Sequence, residues 1–152
     1  MNNLCTDIGW MSLNKKGEQL CGDHVDIVPQ GENSTVVVLA DGMGSGVKAN
    51  ILSTLTAKII STMMAEGLHV GDCVETIAMT LPICKVRQVA YSTFAILQIF
   101  RDGRAYLVEY DNPPMLLLRA GKRVEIPYEE RDVAGKRVRQ ARFSICRKTY
   151  SF

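Results

Sequence analysis

Asp41 is the residue of this chain whose type and position point most directly to chemistry. It follows an apolar, mostly β-branched run, Thr35 to Ala40, and precedes the glycines Gly42, Gly44 and Gly46. The run predicts a buried strand, and the glycines predict a tight turn into a helix. A carboxylate at the end of a buried strand adds nothing to a core, and glycines let the backbone approach a ligand closely. The stretch therefore indicates a binding site at Asp41.

The ligand that best suits this loop is a hard divalent cation. A Walker loop is excluded because Gly46 is not followed by the required Lys and Ser or Thr. A dinucleotide fingerprint is met only in part, and an Asp before its first glycine would repel a pyrophosphate. Mg²⁺ and Mn²⁺ prefer carboxylate and carbonyl oxygens, which the Asp41 side chain and the Gly42 backbone can supply. One aspartate cannot hold such an ion alone.

Asp23 is the second candidate ligand, because it lies in a predicted strand, Cys21 to Val28, that can pair with the strand ending at Asp41. Two aspartates and a carbonyl could hold two divalent ions about 3.5 to 4 Å apart, as in two-metal hydrolases. Asp26 lies three residues on and therefore on the opposite strand face, so we expect it around the site or at the surface. The alternative for Asp23 is an ordinary edge-strand acid.

Other catalytic and metal sites have weaker support in the sequence. Cys21 and His24 form a C-x-x-H pair, but no second pair has the spacing that structural zinc requires. Two histidines offer no Ser/His/Asp set. Five cysteines without a CxxC pair indicate a reducing compartment.

Length and composition predict one globular domain over residues 1–152, since 47% of the residues are hydrophobic. A formal charge of +2 is too small to indicate nucleic-acid binding. No signal peptide or membrane span is visible, so we expect a soluble, cytoplasmic protein that does not bind membranes.

Hydrophobic periodicity predicts the elements that must position these residues. Besides the two strands above, we expect strands over 4–13, 93–100, 105–110, 115–118 and 124–127, and helices over 45–67 and 72–81. The first helix has one apolar face, made of Ile51, Leu52, Leu55, Ile59, Ile60, Met63 and Met64. Asp72 and Glu75 resemble a capping box at the start of the second helix, and Pro82 ends it.

The strand over 93–100 is apolar on both faces, yet the Asp102-Gly103 hairpin that follows requires antiparallel pairing. An antiparallel sheet covered by a second sheet on one side and by helices on the other satisfies both patterns. We therefore predict an α+β fold with four layers. The basic residues beyond Tyr128 lack stacking aromatics and predict a solvated strand or loop face.

Four segments in order resemble the SpoIIE-like branch of the metal-dependent (PPM, type 2C) serine/threonine protein phosphatases: Gly22-Asp23, Ala40 to Gly46, Tyr91 to Phe94 and Asn112 to Pro114. The resemblance implies an αββα sandwich of two antiparallel sheets flanked by helices. It also implies that Asp41 bridges two Mn²⁺ or Mg²⁺ ions, that Gly42 lends its carbonyl and that Asp23 completes part of one shell. Gly44 belongs to the motif without an assigned ligand role.

The resemblance implies a hydrolase of bacterial signalling and sporulation. A metal-bound water would attack a phosphoserine or phosphothreonine of a protein substrate, typically an anti-sigma-factor antagonist. The family's later S-D-G element and acidic pair have no counterpart here. We therefore expect a C-terminally truncated domain, represented by its N-terminal portion, with impaired catalysis. The alternative is an inactive regulatory or protein-binding module, whose exposed apolar surface would favour homo-oligomers.

Overall fold

A six-stranded antiparallel sheet forms the centre of the chain, with strand order β1-β2-β5-β6-β10-β9. The computed structural model describes residues 4–80, 83–84, 89–90, 92–133 and 135–145. The strands of the large sheet are β1 (Asp23–Gln30), β2 (Ser34–Gly42), β5 (Ser92–Phe100), β6 (Arg104–Tyr110), β9 (Glu129–Val133) and β10 (Lys136–Ser144). Two small sheets pair β3 (Ile83–Cys84) with β4 (Val89–Ala90), and β7 (Leu117–Arg119) with β8 (Lys122–Val124). The helices are α1 (Gly46–Ala65) and α2 (Val70–Thr80).

The turns between neighbouring strands follow the predicted turn chemistry. Gly103 has φ +89° in the β5–β6 hairpin, a conformation that an L side chain rarely adopts. The Asp102 carboxylate accepts a hydrogen bond from the Arg104 backbone N–H at 3.0 Å. The predicted Asp-Gly hairpin is therefore confirmed, together with the strands that it joins.

One face of the sheet packs against both helices. Val36, Val38 and Ala40 alternate along β2 and are fully buried beneath α1, as a strand with one face in the core requires. Phe94 of β5 stacks on Tyr110 of β6 with ring centroids 5.1 Å apart. This face holds the larger of two hydrophobic clusters.

Helix α1 is confirmed, but the prediction of its buried face is wrong in part. Ile51 and Leu55 are 57% and 54% exposed, while small side chains face the sheet. The hydroxyls of two of these, Ser53 and Thr56, donate hydrogen bonds to backbone carbonyls of the same helix at 3.1 and 2.7 Å. Small residues bring the helix axis close to the strands, and apolar periodicity cannot identify a face made of alanine, serine and threonine. Met64 is buried and Met63 half-buried, as predicted.

Helix α2 is confirmed and begins earlier than its acidic residues indicate. Its first residue is Val70, so Asp72 lies in the first turn and does not cap the helix. The Cys73 N–H bonds to the His69 carbonyl instead. Val74, Ile77 and Ala78 are buried as expected. Leu81 and Pro82 lie outside the described residues.

The opposite face of the sheet, here called the outer face, is covered over β6 and β10. Leu107, Ile126 and Ala141 form a second buried cluster there, with Met115 and Tyr128 packed against it. The predicted α+β class, with antiparallel sheets and helices, is confirmed. Within the described ranges, the second sheet over this face is the β7–β8 pair, and both described helices lie on the other face.

Two predictions about the ends of the chain are wrong. Residues 4–13 form no strand, although the Leu4 N–H donates to the Arg101 carbonyl at 2.8 Å. The basic stretch beyond Tyr128 contains β9 and β10, and β10 lies inside the large sheet between β6 and β9. Val138 and Ala141 of this strand are buried, and its arginine side chains lie over tyrosine rings, Arg142 on Tyr106 and Arg139 on Tyr128. Its charge therefore conceals a strand that contributes to the core.

Candidate metal centre

Asp23 and Asp41 are directly opposed in the antiparallel register of β1 and β2. Directly opposed residues point to the same face of a sheet, and here that face is the outer one, because Ala40 beside Asp41 lies under α1. The two carboxyl groups are near enough that Asp23 raises the pKa of Asp41. The structure therefore brings together the two aspartates that the sequence selected.

The electrostatics of this pair favour a bound cation. The pKa of Asp41 is raised from 3.8 to about 6, first by desolvation, then by its hydrogen bond with Asp23 and by the charge of that residue. Among the described residues no Lys or Arg forms an ion pair with either carboxylate. Two acids facing each other without a basic partner repel when both are ionised, and a divalent cation would remove that repulsion.

Gly42 is required by packing, whatever its carbonyl binds. A Cβ at this position would lie 2.1 Å from the Ala49 carbonyl oxygen in the first turn of α1. The Gly42 N–H donates to the Gly22 carbonyl at 3.0 Å, which fixes the backbone before Asp23 against the backbone after Asp41. A Cβ at Gly22 would in turn lie 3.7 Å from the Gly42 carbonyl oxygen. These approaches set the spacing of the two aspartates.

The segment before β1 also contacts the glycine-containing turn between β2 and α1. The sequence did not predict this contact. Ser45 occupies the N-cap position of α1 but makes no side-chain cap. Its hydroxyl donates instead to Glu18 Oε1 at 3.0 Å, and Glu18 Oε2 would lie 2.7 Å from a Cβ at Gly46. A carboxylate at a helix N-terminus is favourable. Asn50 Nδ2 adds a bond to the Cys21 carbonyl at 2.9 Å.

The remaining candidates lie elsewhere. Asp26 faces the helices, where it accepts a hydrogen bond from Ser61 Oγ at 2.6 Å and lies 3.8 Å from Lys58 Nζ. It therefore joins β1 to α1 on the face opposite Asp23. Gly44 is exposed, with φ +92°, and serves the turn.

Thr93 and Asn112 continue the polar row along the same edge of the sheet. Thr93 is opposite Asp41 in the β2–β5 register, and its hydroxyl donates to Asn112 Oδ1 at 3.2 Å. Both belong to segments that carried the resemblance. The row thus passes from β1 through β2 and β5 to the end of β6.

The donor set suits a divalent cation but is incomplete. Asp23 and Asp41 supply hard anionic oxygens, and the Gly42 carbonyl lies beside them. Within the ranges that the structure describes, no three His, Cys, Asp or Glu residues are grouped to hold a metal ion. The described residues fit part of the shell of one ion and fall short of two.

Residues 31–135 match the family described as Stage II sporulation protein E (SpoIIE). The chain belongs to the SpoIIE family. A search of the curated proteins returns no match. No helix among the described residues of this SpoIIE family member is both long and apolar enough to cross a membrane.

Solved structures share the fold of this SpoIIE family member. The PP2C phosphatase domain of SpoIIE from Bacillus subtilis, solved with a fragment of its regulatory domain, has TM-score 0.67 and 21% identity over 75% of this chain and 33% of that one. RsbX in complex with magnesium has TM-score 0.53 and 24% identity over 67% and 48%.

The RsbU and RsbW domains of Rv1364c from Mycobacterium tuberculosis have TM-score 0.53 and 18% identity over 67% of this chain and 28% of that one. This chain therefore spans between about a quarter and a half of the lengths of these three structures. At such identities the likeness shows the fold: a PP2C-type phosphatase fold for this SpoIIE family member.

Proposed function

We propose that this chain is the metal-binding portion of a protein phosphatase domain that hydrolyses phosphoserine or phosphothreonine. The observation that carries the proposal is the opposed pair of Asp23 and Asp41 at the end of a buried strand. Membership of the SpoIIE family and the fold of PP2C phosphatase domains support it. One structure of this fold, RsbX, contains magnesium.

In this proposal Asp23, Asp41 and the Gly42 carbonyl hold Mg²⁺ or Mn²⁺. The bound ion would lower the pKa of a water molecule, so that it attacks phosphorus in line without a phosphoenzyme. Asp41 would hold a central position among these ligands, because its strand β2 lies between β1 and β5. The substrate is a phosphoprotein, for which an anti-sigma-factor antagonist is the first candidate. A complete site with two ions needs further acidic ligands.

The test is calorimetric titration of Mn²⁺ at pH 7.5 into the chain and into Asp41→Asn. We expect weak binding at one site that Asp41→Asn abolishes, because the amide carries no charge. Asp26→Asn is the matched control, since it removes an aspartate charge from the same strand pair but on the other face. Unchanged binding in Asp41→Asn would overturn the site.

Catalysis is tested separately, by phosphate release from a phosphothreonine peptide in Mn²⁺. We expect low activity that depends on Asp41. Metal binding without any release would remove the catalytic part of the proposal and keep the metal site.

A second candidate function, a protein-binding module on the same fold, has its own support. Val47, Ile51 and Leu55 recur every four residues along α1 and are 62%, 57% and 54% exposed. Such an apolar stripe is typical of a helix that binds a partner or a second copy. Light scattering coupled to size-exclusion chromatography tests self-association: a dimer that Ile51→Asp and Leu55→Asp disperse would support it, and a monomer at all concentrations would count against it.

A further inference from the structure

A cavity of about 880 Å³ opens on the helix face, at the end of the sheet away from Asp23 and Asp41. Seven residues of β2 separate the register pair Asp41–Thr93 from the pair Ser34–Phe100 at the cavity, which is about 23 Å along a strand. The cavity has the size of small-molecule sites, which run to about 1,000 Å³. It is therefore a second candidate site, which lies at the other end of the sheet from the metal centre and on the opposite face.

The charge of this cavity is one-sided. Arg104, Arg131 and Arg142 line it, and no described Asp or Glu does. Arg104 is paired with Asp102 at 2.6 Å. Within the described part of the chain, Arg131 and Arg142 have no carboxylate at ion-pair distance.

The acids nearest in sequence point elsewhere. Glu130 and Asp132 flank Arg131 on the other face of β9, as the alternation of a strand requires. Glu129 lies in a neighbouring cleft beside Arg142, and Asp72 is exposed in the first turn of α2. None of these lines the cavity.

Arg131 carries the strongest sign of a missing partner. Its Nε and Nη2 atoms are buried from solvent and have no hydrogen-bond partner among the residues that the structure describes. Buried donors are costly when unpaired, and a cationic group more so.

The first turn of α2 adds positive potential at the same point. A Cβ at Gly71 would lie 3.9 Å from Arg131 Nη2, so the guanidinium faces the N-terminus of an eleven-residue helix. The first backbone N–H groups of a helix have no partner inside it and carry a partial positive charge. An anion that contacts both the arginine and this terminus would offset their repulsion, to which the exposed Asp72 carboxylate of the same turn also responds.

Aromatic and amide side chains of the cavity wall contact Arg142 and one another. Arg142 lies 4.9 Å from the Tyr106 ring centroid, and the Tyr106 hydroxyl donates to Gln140 Oε1 at 3.2 Å. Gln98 is hydrogen-bonded to Ser34 at 3.0 Å and to Gln30. The polar side chains beside Arg142 are therefore paired with one another.

We propose that this cavity binds the phosphate group of a small molecule, held between Arg131, Arg142 and the N-terminus of α2. Planar guanidinium groups and helix N-termini are the groups that proteins use for phosphate. The same chemistry admits inorganic phosphate or a phosphorylated metabolite, and the room beside Tyr106 and Phe100 suits an organic group attached to the phosphate. Neither depends on the metal centre.

The experiment is calorimetric titration of the full chain with sodium phosphate and, separately, with AMP, in EDTA and at constant ionic strength. EDTA removes divalent ions, so binding at the aspartate pair does not contribute. We expect saturable binding that Arg131→Gln weakens by at least about tenfold, since a charge-assisted pair is lost. Arg123→Gln, an exposed charge in β8 outside the cavity, is the matched control and should bind as the wild type does.

A second variant keeps the test valid if Arg131→Gln fails to fold. Gly71→Asp places a carboxylate against Arg131 at the helix N-terminus, so it should raise Tm without phosphate and abolish phosphate binding. Gly71→Ala adds the Cβ alone and should retain binding. Tighter binding of AMP than of phosphate would assign a phosphorylated metabolite, and equal binding the free anion. Absence of saturable binding for both, or binding unchanged in Arg131→Gln and Gly71→Asp, would overturn the proposal.

Discussion

Asp41 and Glu109 are both carboxylates on the outer face of the same sheet, and their surroundings are opposite. Glu109 is 1% exposed, and its Oε1 accepts hydrogen bonds from the Met115 N–H at 2.8 Å and the Tyr128 hydroxyl at 3.1 Å. Its Oε2 accepts no hydrogen bond but lies 3.0 Å from Arg139 Nη2 in an ion pair. Asp41 is exposed and faces another acid.

The difference separates a structural carboxylate from a binding one. Glu109 has partners within the chain and ties the segment after β6 to the sheet. Asp41 has a like charge as its neighbour and no ion pair among the described residues, so a bound cation would be a favourable partner. Four predictions test this contrast, from the largest effect to the smallest.

Removing the Glu109 carboxylate should produce the largest effect. Glu109→Ala leaves Arg139, 28% exposed, without its ion-pair partner and removes the nearer of two acceptors of the Met115 N–H, the other being the Tyr128 hydroxyl. We expect a loss of about 3 kcal/mol in the free energy of unfolding, measured in urea at pH 7. Glu109→Gln keeps an acceptor oxygen and should lose about half as much; a loss below 1 kcal/mol in Glu109→Ala, on the scale of a surface substitution, would contradict the structural role.

Weakening the partners of Glu109 should cost less. Tyr128→Phe removes the hydroxyl that bonds to Glu109 and to the Met115 N–H, for an expected loss of about 1.5 kcal/mol. Tyr106→Phe is the matched control on the other face, where the hydroxyl bonds to Gln140 alone among the described residues, and it should lose less than about 0.5 kcal/mol. Equal losses in the two variants would count against a special role for the Glu109 cluster.

Asp41 should respond in the opposite direction. Asp41→Asn removes a like-charge contact with Asp23, so it should stabilise the metal-free chain at pH 7.5 by about 1 kcal/mol, discounted for screening at an exposed side chain. Urea unfolding in EDTA measures this change. A destabilised Asp41→Asn variant would show that the contact between Asp23 and Asp41 stabilises the fold, and would contradict a role in binding a cation.

The smallest effect is a pH slope with a defined sign. The native chain binds the Asp41 proton more tightly than the unfolded chain, because the pKa rises from 3.8 to about 6. Its contribution to stability is therefore full below pH 3.8 and is lost as pH rises through about 6. The difference between Asp41→Asn and wild type should grow over that window and level off above it, while Mn²⁺ affinity of the wild type should fall below pH 6. A difference that does not vary with pH would contradict the raised pKa.

The sequence predicted the aspartate pair because local signals agreed there. An apolar run, a terminal carboxylate and glycines placed Asp41, and Asp23 was selected because its predicted strand could lie beside the strand that ends at Asp41. The Asp102-Gly103 hairpin and both helices were predicted for the same reason. In each case neighbours in sequence determine the geometry.

The rest depended on contacts between distant residues. Glu18 meets Ser45 across the chain, and no pattern near Glu18 marks it as a helix-terminal acid. Glu109 lies in a strand with ordinary alternation, and only the distant Arg139 and Tyr128 explain its burial. The prediction of the buried face of α1 was wrong in part because Ala49, Ser53 and Ala57 face the sheet. Their small side chains let the helix pack close to the strands, and hydrophobicity does not measure side-chain size.

The order of strands in the large sheet also bears on how the chain folds. β1–β2, β5–β6 and β9–β10 are hairpins between consecutive strands, whereas the β2–β5 pairing joins Gly42 to Ser92 across both helices. Hairpins close short loops on the microsecond scale of about 1 to 10 μs, and long-range pairing pays more chain entropy before it gains contacts. The β2–β5 pairing spans the longest stretch of chain in the large sheet, so we expect the strand that ends at Asp41 to pair with β5 after its hairpin with β1 has formed.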